Sequence, residues 1–345
     1  MTSMERVLRA LQHQEPDQVP LLLTLTMHGA KELGMSIKEY YSAADHVIEG
    51  QRRLQKKYRN DCYYTFTYAA VEVEAYGGDV IFCDDGPPNS GTPIIQDVQA
   101  IRNLEPVRVA EVPCLQRLLT VTEGLHRLSA GAVPVIGVVI SPFSVPVMQF
   151  GFERYIELIY EQPLLFERLM QVNETFCVEW ANAQLAAGAT AICYFDPLSS
   201  PTMISRDLYR QTGYLVAQRV LSRIQGPTVI HLASGRCMPV LDDLLRLGVQ
   251  AIGVSTLEDL GQLKANCAGK TALLGNLNGL EMWNWTPEEA EAIVKATIAK
   301  AGPHGGFLLA DNHGEIPYQV TEETLQAIAL AVEKWGRYPL EWTKR

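Results

Sequence analysis

A chain of 345 residues, with 47% hydrophobic and 20% charged side chains, can bury a large core and has the composition of an ordinary globular protein. Its formal net charge of −10 and its lack of a Lys/Arg-rich tract exclude a nucleic-acid backbone as partner, because that partner needs clustered cations. The seven cysteines (Cys62, Cys83, Cys114, Cys177, Cys193, Cys237 and Cys267) show no CxxC spacing and are odd in number, so a reduced, cytoplasmic protein is expected. The first residues lack the long apolar segment of a secretory signal.

In chain order, a helical N-terminal extension precedes the first apolar run, Val19–Leu23. A helical stretch over Ile37–Tyr58 leads to a second run, Cys62–Thr67. Val80–Cys83 and Thr92–Ile95 flank Asp84-Asp-Gly-Pro-Pro-Asn-Ser-Gly and predict a small inserted hairpin. Helix Cys114–Leu128 precedes strand Val133–Val139. The surrounding region, Ala132 to Phe150, is the most apolar in the chain, but Pro134, Pro142, Pro146, Ser141 and Ser144 interrupt it, so it reads as a buried strand and its loop and not as a membrane span. Helices over Phe152–Ala187, Ser205–Ile224, Met238–Leu247, Thr286–Ala301 and Glu322–Trp335 then alternate with strands Ala191–Phe195, Thr228–His231, Ala251–Val254, Thr271–Leu274 and Gly306–Leu309. Thr286-Pro-Glu-Glu carries a capping hydroxyl, a first-turn proline and acids at the positive end of the helix.

About eight strand–helix units in alternation predict a parallel sheet with crossover helices. No GxGxxG follows the first strand, which favours a closed (β/α)8 TIM barrel over an open dinucleotide-binding sheet. Such barrels often exceed about 250 residues as one unit, so a single domain over residues 1–345 is expected.

Two histidines arrive at strand ends. His231 closes Thr228-Val-Ile-His and precedes Ala-Ser-Gly; His313 follows Leu309 in a polar loop with Asp311, Asn312 and Glu315, shaped by Gly314 and Pro317. In a barrel both imidazoles reach the catalytic face. Asp196 emerges where Ala191–Phe195 ends, where it can orient a histidine, ligate a metal or cap a turn. Glu72 and Glu74 share one face if their segment is extended and diverge by about 200° if it is helical. Two histidines with acids allow a zinc site that keeps one position open, although no HExxH or compact Cys/His spacing is present. Asp311-Asn-His313 also mimics the start of a corrinoid-binding Asp-x-His-x-x-Gly motif, with Ile316 at the glycine position.

The chain resembles the uroporphyrinogen decarboxylase superfamily over its whole length, and within it most closely the cobalamin-dependent methyltransferases. The resemblance rests on Val71-Glu-Val-Glu-Ala-Tyr-Gly, Ala187-Gly-Ala-Thr-Ala-Ile with Asp196-Pro, Thr228-Val-Ile-His231, Leu273-Leu-Gly-Asn276-Leu and His313-Gly-Glu-Ile-Pro. It implies a (β/α)8 barrel, in agreement with the strand–helix alternation, and suggests a homodimer. True decarboxylases follow the first strand with an Arg-Gln-Ala-Gly-Arg segment and carry an aspartate in a Phe-Ser-Asp motif. Here the corresponding stretches are Leu23-Thr-Leu-Thr-Met-His28-Gly, without arginine, and Phe66-Thr-Tyr68. A polycarboxylate tetrapyrrole would lack its anchors.

The methyltransferase branch binds zinc through His-x-Cys and Cys-Gly, which are His231-Leu-Ala233 and His313-Gly314 in this chain. The resemblance then implies a zinc held by His231, His313 and a carboxylate from Glu74, Glu72 or Asp196. A nitrogen/oxygen set makes a harder zinc, suited to polarising an ether oxygen more than to carrying a thiolate. The implied reaction moves a methyl group between a small donor or acceptor and the cobalt of a corrinoid (cobalamin) on a separate protein. His231, His313 and Asp196 are expected to be catalytic; Phe66, Tyr68, Tyr194, Asn276 and Met148 are expected at the substrate. The alternatives are a decarboxylase and a non-catalytic binding homologue.

Overall fold

The computed structural model describes residues 1–344. The aliphatic runs form β1 (Tyr63–Tyr64), β4 (Val135–Ile140), β5 (Ala191–Phe195), β6 (Thr228–His231), β7 (Ala251–Gly253), β8 (Ala272–Leu277) and β9 (Phe307–Asp311), hydrogen-bonded in that order as a curled, fully parallel sheet. Between them in the chain, β2 (Val80–Ile81) and β3 (Asn89–Ser90) pair antiparallel as the inserted hairpin. Its second strand lies within the stretch read as turn, not at Thr92–Ile95.

The segment predicted as the first strand occupies the eighth place. Leu22 N–H donates to Leu309 O at 2.8 Å, and Asp61 N–H donates to Leu21 O at 2.7 Å, so residues 20–23 bridge β9 and the chain entering β1. Regular strand pairing is lost there because Pro20 has no N–H, and side chains stand in for backbone partners: Asp61 Oδ2 accepts from Leu21 N–H at 3.0 Å and Asn60 Oδ1 from Leu23 N–H at 2.8 Å.

Three helices read as continuous are each divided. Ile37–Tyr58 breaks at Ala43, Phe152–Ala187 before Pro163 and Ser205–Ile224 at Thr212. Pro163 begins the later helix of its pair, and the residue before a proline is pushed out of helical backbone. A helix at Leu260–Cys267, capped by Asp259, was not foreseen. The Thr286 capping box is present: Glu289 N–H donates to Thr286 Oγ1 at 3.2 Å, and Thr286 N–H donates to Glu289 Oε2 at 2.9 Å.

Helix α1 (Ser3–Leu11), the N-terminal extension, closes the barrel's amino-terminal end. Its Val7 and Ala10 pack with Leu22, Tyr64 and Leu308. The Ala132–Phe150 region is β4 and a short helix, Pro146–Phe150, and among the described residues no helix is long and apolar enough to cross a membrane.

Candidate active site at the barrel mouth

Strand alternation decides what faces the barrel interior. In β5, Ala191, Cys193 and Phe195 point inward, while Ile192 and Tyr194 pack outward in the helix layer. The interior holds a cavity of about 300 Å³, and its wall at the carboxyl ends of the strands is polar: Thr24, His231, Asp311, His313 and Glu315.

His231 ends β6 and stacks on Phe195, with ring centroids 5.5 Å apart and planes at 19°. The ring lies across Gly253 of β7; a Cβ there would fall 2.3 Å from His231 Cδ2, so only glycine leaves this space. Ala233 N–H donates to His231 Nδ1 at 3.0 Å, which leaves the proton of a neutral ring on Nε2. Burial pulls the imidazole down to about 4, and the charge of nearby His313 acts in the same direction against that of Asp311. At neutral pH His231 is therefore an uncharged hydrogen-bond donor and not an imidazolium acid.

The loop after β9 supplies the rest. Asp311 is buried and accepts from two backbone amides, Thr24 N–H at 3.0 Å and Gly314 N–H at 2.9 Å. Gly314 has φ of 97°, and a side chain there would strike the Phe195 ring at 2.6 Å. His313 Nδ1 shares a hydrogen bond of 2.7 Å with Ser234 Oγ, tying the loops after β6 and β9. Thr26 Oγ1 donates to Glu315 Oε1. Burial, reinforced by the Asp311 charge, raises the Glu315 carboxyl to about 7. A group titrating there can hold and release a proton at physiological pH. Asp311 and Glu315 were noted in sequence only as polar loop residues.

The barrel itself is the fold the sequence resemblance implied. A family model described as uroporphyrinogen decarboxylase (URO-D) matches residues 2–335. The chain belongs to the uroporphyrinogen decarboxylase family. Among curated relatives, uroporphyrinogen decarboxylase of Azoarcus sp. (strain BH72) is 26% identical, covering 75% of this chain and 74% of that protein. The enzyme of the same name from Herminiimonas arsenicoxydans is 23% identical, covering 96% and 95%. Among solved structures, a methyltransferase from Methanosarcina mazei superposes with a TM-score of 0.82 at 20% identity, covering 97% of this chain and 99% of that one, a likeness of fold.

Against this family background the other expected site residues fall in different places. Phe66 lines the cavity, and Met148 packs behind Phe66 and Phe195 with Val73, Ile140 and Val145. Tyr194 faces the helix layer by parity. Tyr68 is buried against Tyr41 and Phe82, and its hydroxyl donates to Glu74 Oε2 at 2.5 Å, away from the cavity wall. Asn276 is tied to the loop after β7 by donating to Ser255 O at 3.1 Å. Asp196 also turns outward. Its Oδ1 accepts from Ser141 Oγ at 2.5 Å and Ser144 Oγ at 2.7 Å, so it braces strand-end loops and does not orient a histidine.

The residues present do not fit the zinc set implied by resemblance. Residues 71–74 are helical, so Glu72 and Glu74 diverge: Glu72 Oε1 accepts from Ile140 N–H at 2.8 Å, and Glu74 is engaged by Tyr68. Neither acid reaches the histidines, and among the described residues no three His, Cys, Asp or Glu side chains converge as metal ligands. The cavity wall, among the described residues, also contains no Lys or Arg.

Proposed function

We propose that this protein is a methyltransferase that cleaves a methyl ether or similar donor in the barrel mouth and passes the methyl group to the cobalt of a corrinoid on a separate protein. One observation carries this reading: hydrogen-bond donors and a proton-holding carboxyl gather at one end of an apolar cavity whose described wall has no cation. A polycarboxylate porphyrinogen would enter that cavity with its charges unpaired, at a cost that grows with each buried carboxylate. A methyl ether asks only for an apolar seat and a proton for its oxygen.

In the reaction, the carbon–oxygen bond breaks with its electron pair staying on oxygen. Glu315, protonated over a useful part of the physiological range, gives that oxygen its proton, while His231 Nε2–H and His313 hold the oxygen in place. The corrinoid supplies the electron pair that takes up the methyl carbon. Exposed Met203, Leu257, Leu280 and Trp283 lie on loops after β5, β7 and β8, around the same face, and suit a partner that docks over the mouth. The seven free thiols suit the reduced, cytoplasmic setting such a reaction needs.

The test is methylation of free cob(I)alamin, followed by absorbance, with a panel of methyl ethers. Wild-type protein should transfer methyl, and Glu315→Gln should lower the rate by about 100-fold or more. Carbon dioxide released from a carboxylic acid substrate, with no methyl transfer, would move the assignment to a decarboxylase.

A further inference from the structure

The barrel interior is hollow where barrels of this class are packed. Inward positions usually carry layers of bulky branched side chains. Here Ala191, Ala251 and Ala310 occupy inward positions, and in the middle row Cys193, Val229, Ala251 and Ala272 follow one another across β5 to β8. The space they leave is continuous with the mouth. It runs past Val138, Val229 and Leu308 to the amino-terminal rim, where Val7, Leu8 and Leu11 of α1 form its floor. That floor is fixed: Met4 N–H donates to Ala132 O at 2.9 Å, and Gly306 N–H to Ala10 O at 2.8 Å.

An apolar void weakens an empty fold, because its lining atoms have no partners to pack against. Water gains little there, since the wall between mouth and rim offers few hydrogen-bonding groups. The shape, polar at one end and apolar along its length, fits a molecule built the same way.

We propose that the substrate carries its methyl group on a rigid apolar body that threads down the barrel axis toward α1. A cavity of about 150 Å³ holds one benzene, so the 300 Å³ present here suits a body of roughly two fused rings. The donor is then an ether on an extended apolar scaffold and not a one-carbon compound such as methanol. This rests on the methyl-ether reading above, but it concerns binding and can be measured without turnover.

The experiment uses the full-length protein with 2-naphthol and phenol, the demethylated forms of a two-ring and a one-ring ether, titrated by fluorescence or calorimetry. Wild type should bind 2-naphthol at least about tenfold more tightly than phenol, the factor expected when a second ring's surface leaves water. Ala251→Leu should remove that preference, keep phenol affinity within about threefold and melt no lower than wild type, because the new side chain fills empty space. Ala191→Val probes the same channel from β5 should the first variant fail to fold. Equal affinity of wild type for the two phenols, or an undiminished preference in both filled variants, would overturn the proposal. A naphthol preference that vanishes on filling, together with no transfer from 2-methoxynaphthalene, would uphold the channel and discard the methyltransferase reading.

Discussion

Two buried aspartates stand at carboxyl ends of barrel strands and meet opposite fates. Asp196, after β5, faces outward and is held by two serine hydroxyls. Asp311, closing β9, faces the cavity and is held by two backbone amides, Thr24 N–H and Gly314 N–H, beside His231 and Glu315. The hydroxyl donors belong to side chains that follow β4, whereas the amides belong to the two loops that build the mouth. The same residue type at the same end of a barrel therefore braces the scaffold or shapes the reaction centre, and strand parity alone does not separate the two. Asp196 follows parity outward, whereas Asp311 comes directly after inward-facing Ala310 and still lines the cavity, held by the amides of the two mouth loops.

The contrast can be broken first through stability. Asp196→Ala should destabilise the fold by about 2–4 kcal/mol in urea titrations, because Ser141 and Ser144 lose their buried acceptor. A loss below about 0.5 kcal/mol would mean that this network does not brace the loops.

A smaller effect concerns Glu72, another buried acid outside the mouth. Burial raises its carboxyl from 4.5 to about 8, against the lowering effect of the Ile140 N–H. Its folded-state value lies above the unfolded one, so its contribution is fully present below about pH 4.5 and is lost as pH rises through about 8. Glu72→Gln keeps an acceptor for Ile140 and removes the ionisation. Denaturation midpoints of the variant should decline less than those of wild type across that window; parallel curves would place Glu72 outside the pH response.

Much of the fold was legible because strand and helix periods alternate so regularly, and His231 and His313 could be placed at strand ends from that pattern alone. Alternation carries more than strand ends: counting from Ala191 sets Phe195 inward and Tyr194 and Asp196 outward. Glu72 and Glu74 turned on whether residues 71–74 were strand or helix, and the short helix sends them apart. Asp311 and Glu315 had no periodic signal. Ala310 and Asp311 both line the cavity although they are neighbours in the strand, and Glu315 is engaged by Thr26, 289 residues away in sequence. The hollow core was equally hidden, since alanines in strands announce no cavity until their facing neighbours are known.

The most direct measurement is a side-by-side kcat/KM for methyl transfer from 2-methoxynaphthalene to free cob(I)alamin by Asp311→Asn and Asp196→Asn, each corrected for folded fraction. If the mouth cluster is the reaction centre, Asp311→Asn loses about 100-fold or more and Asp196→Asn stays within about threefold of wild type. Equal losses, or the larger loss in Asp196→Asn, would contradict it.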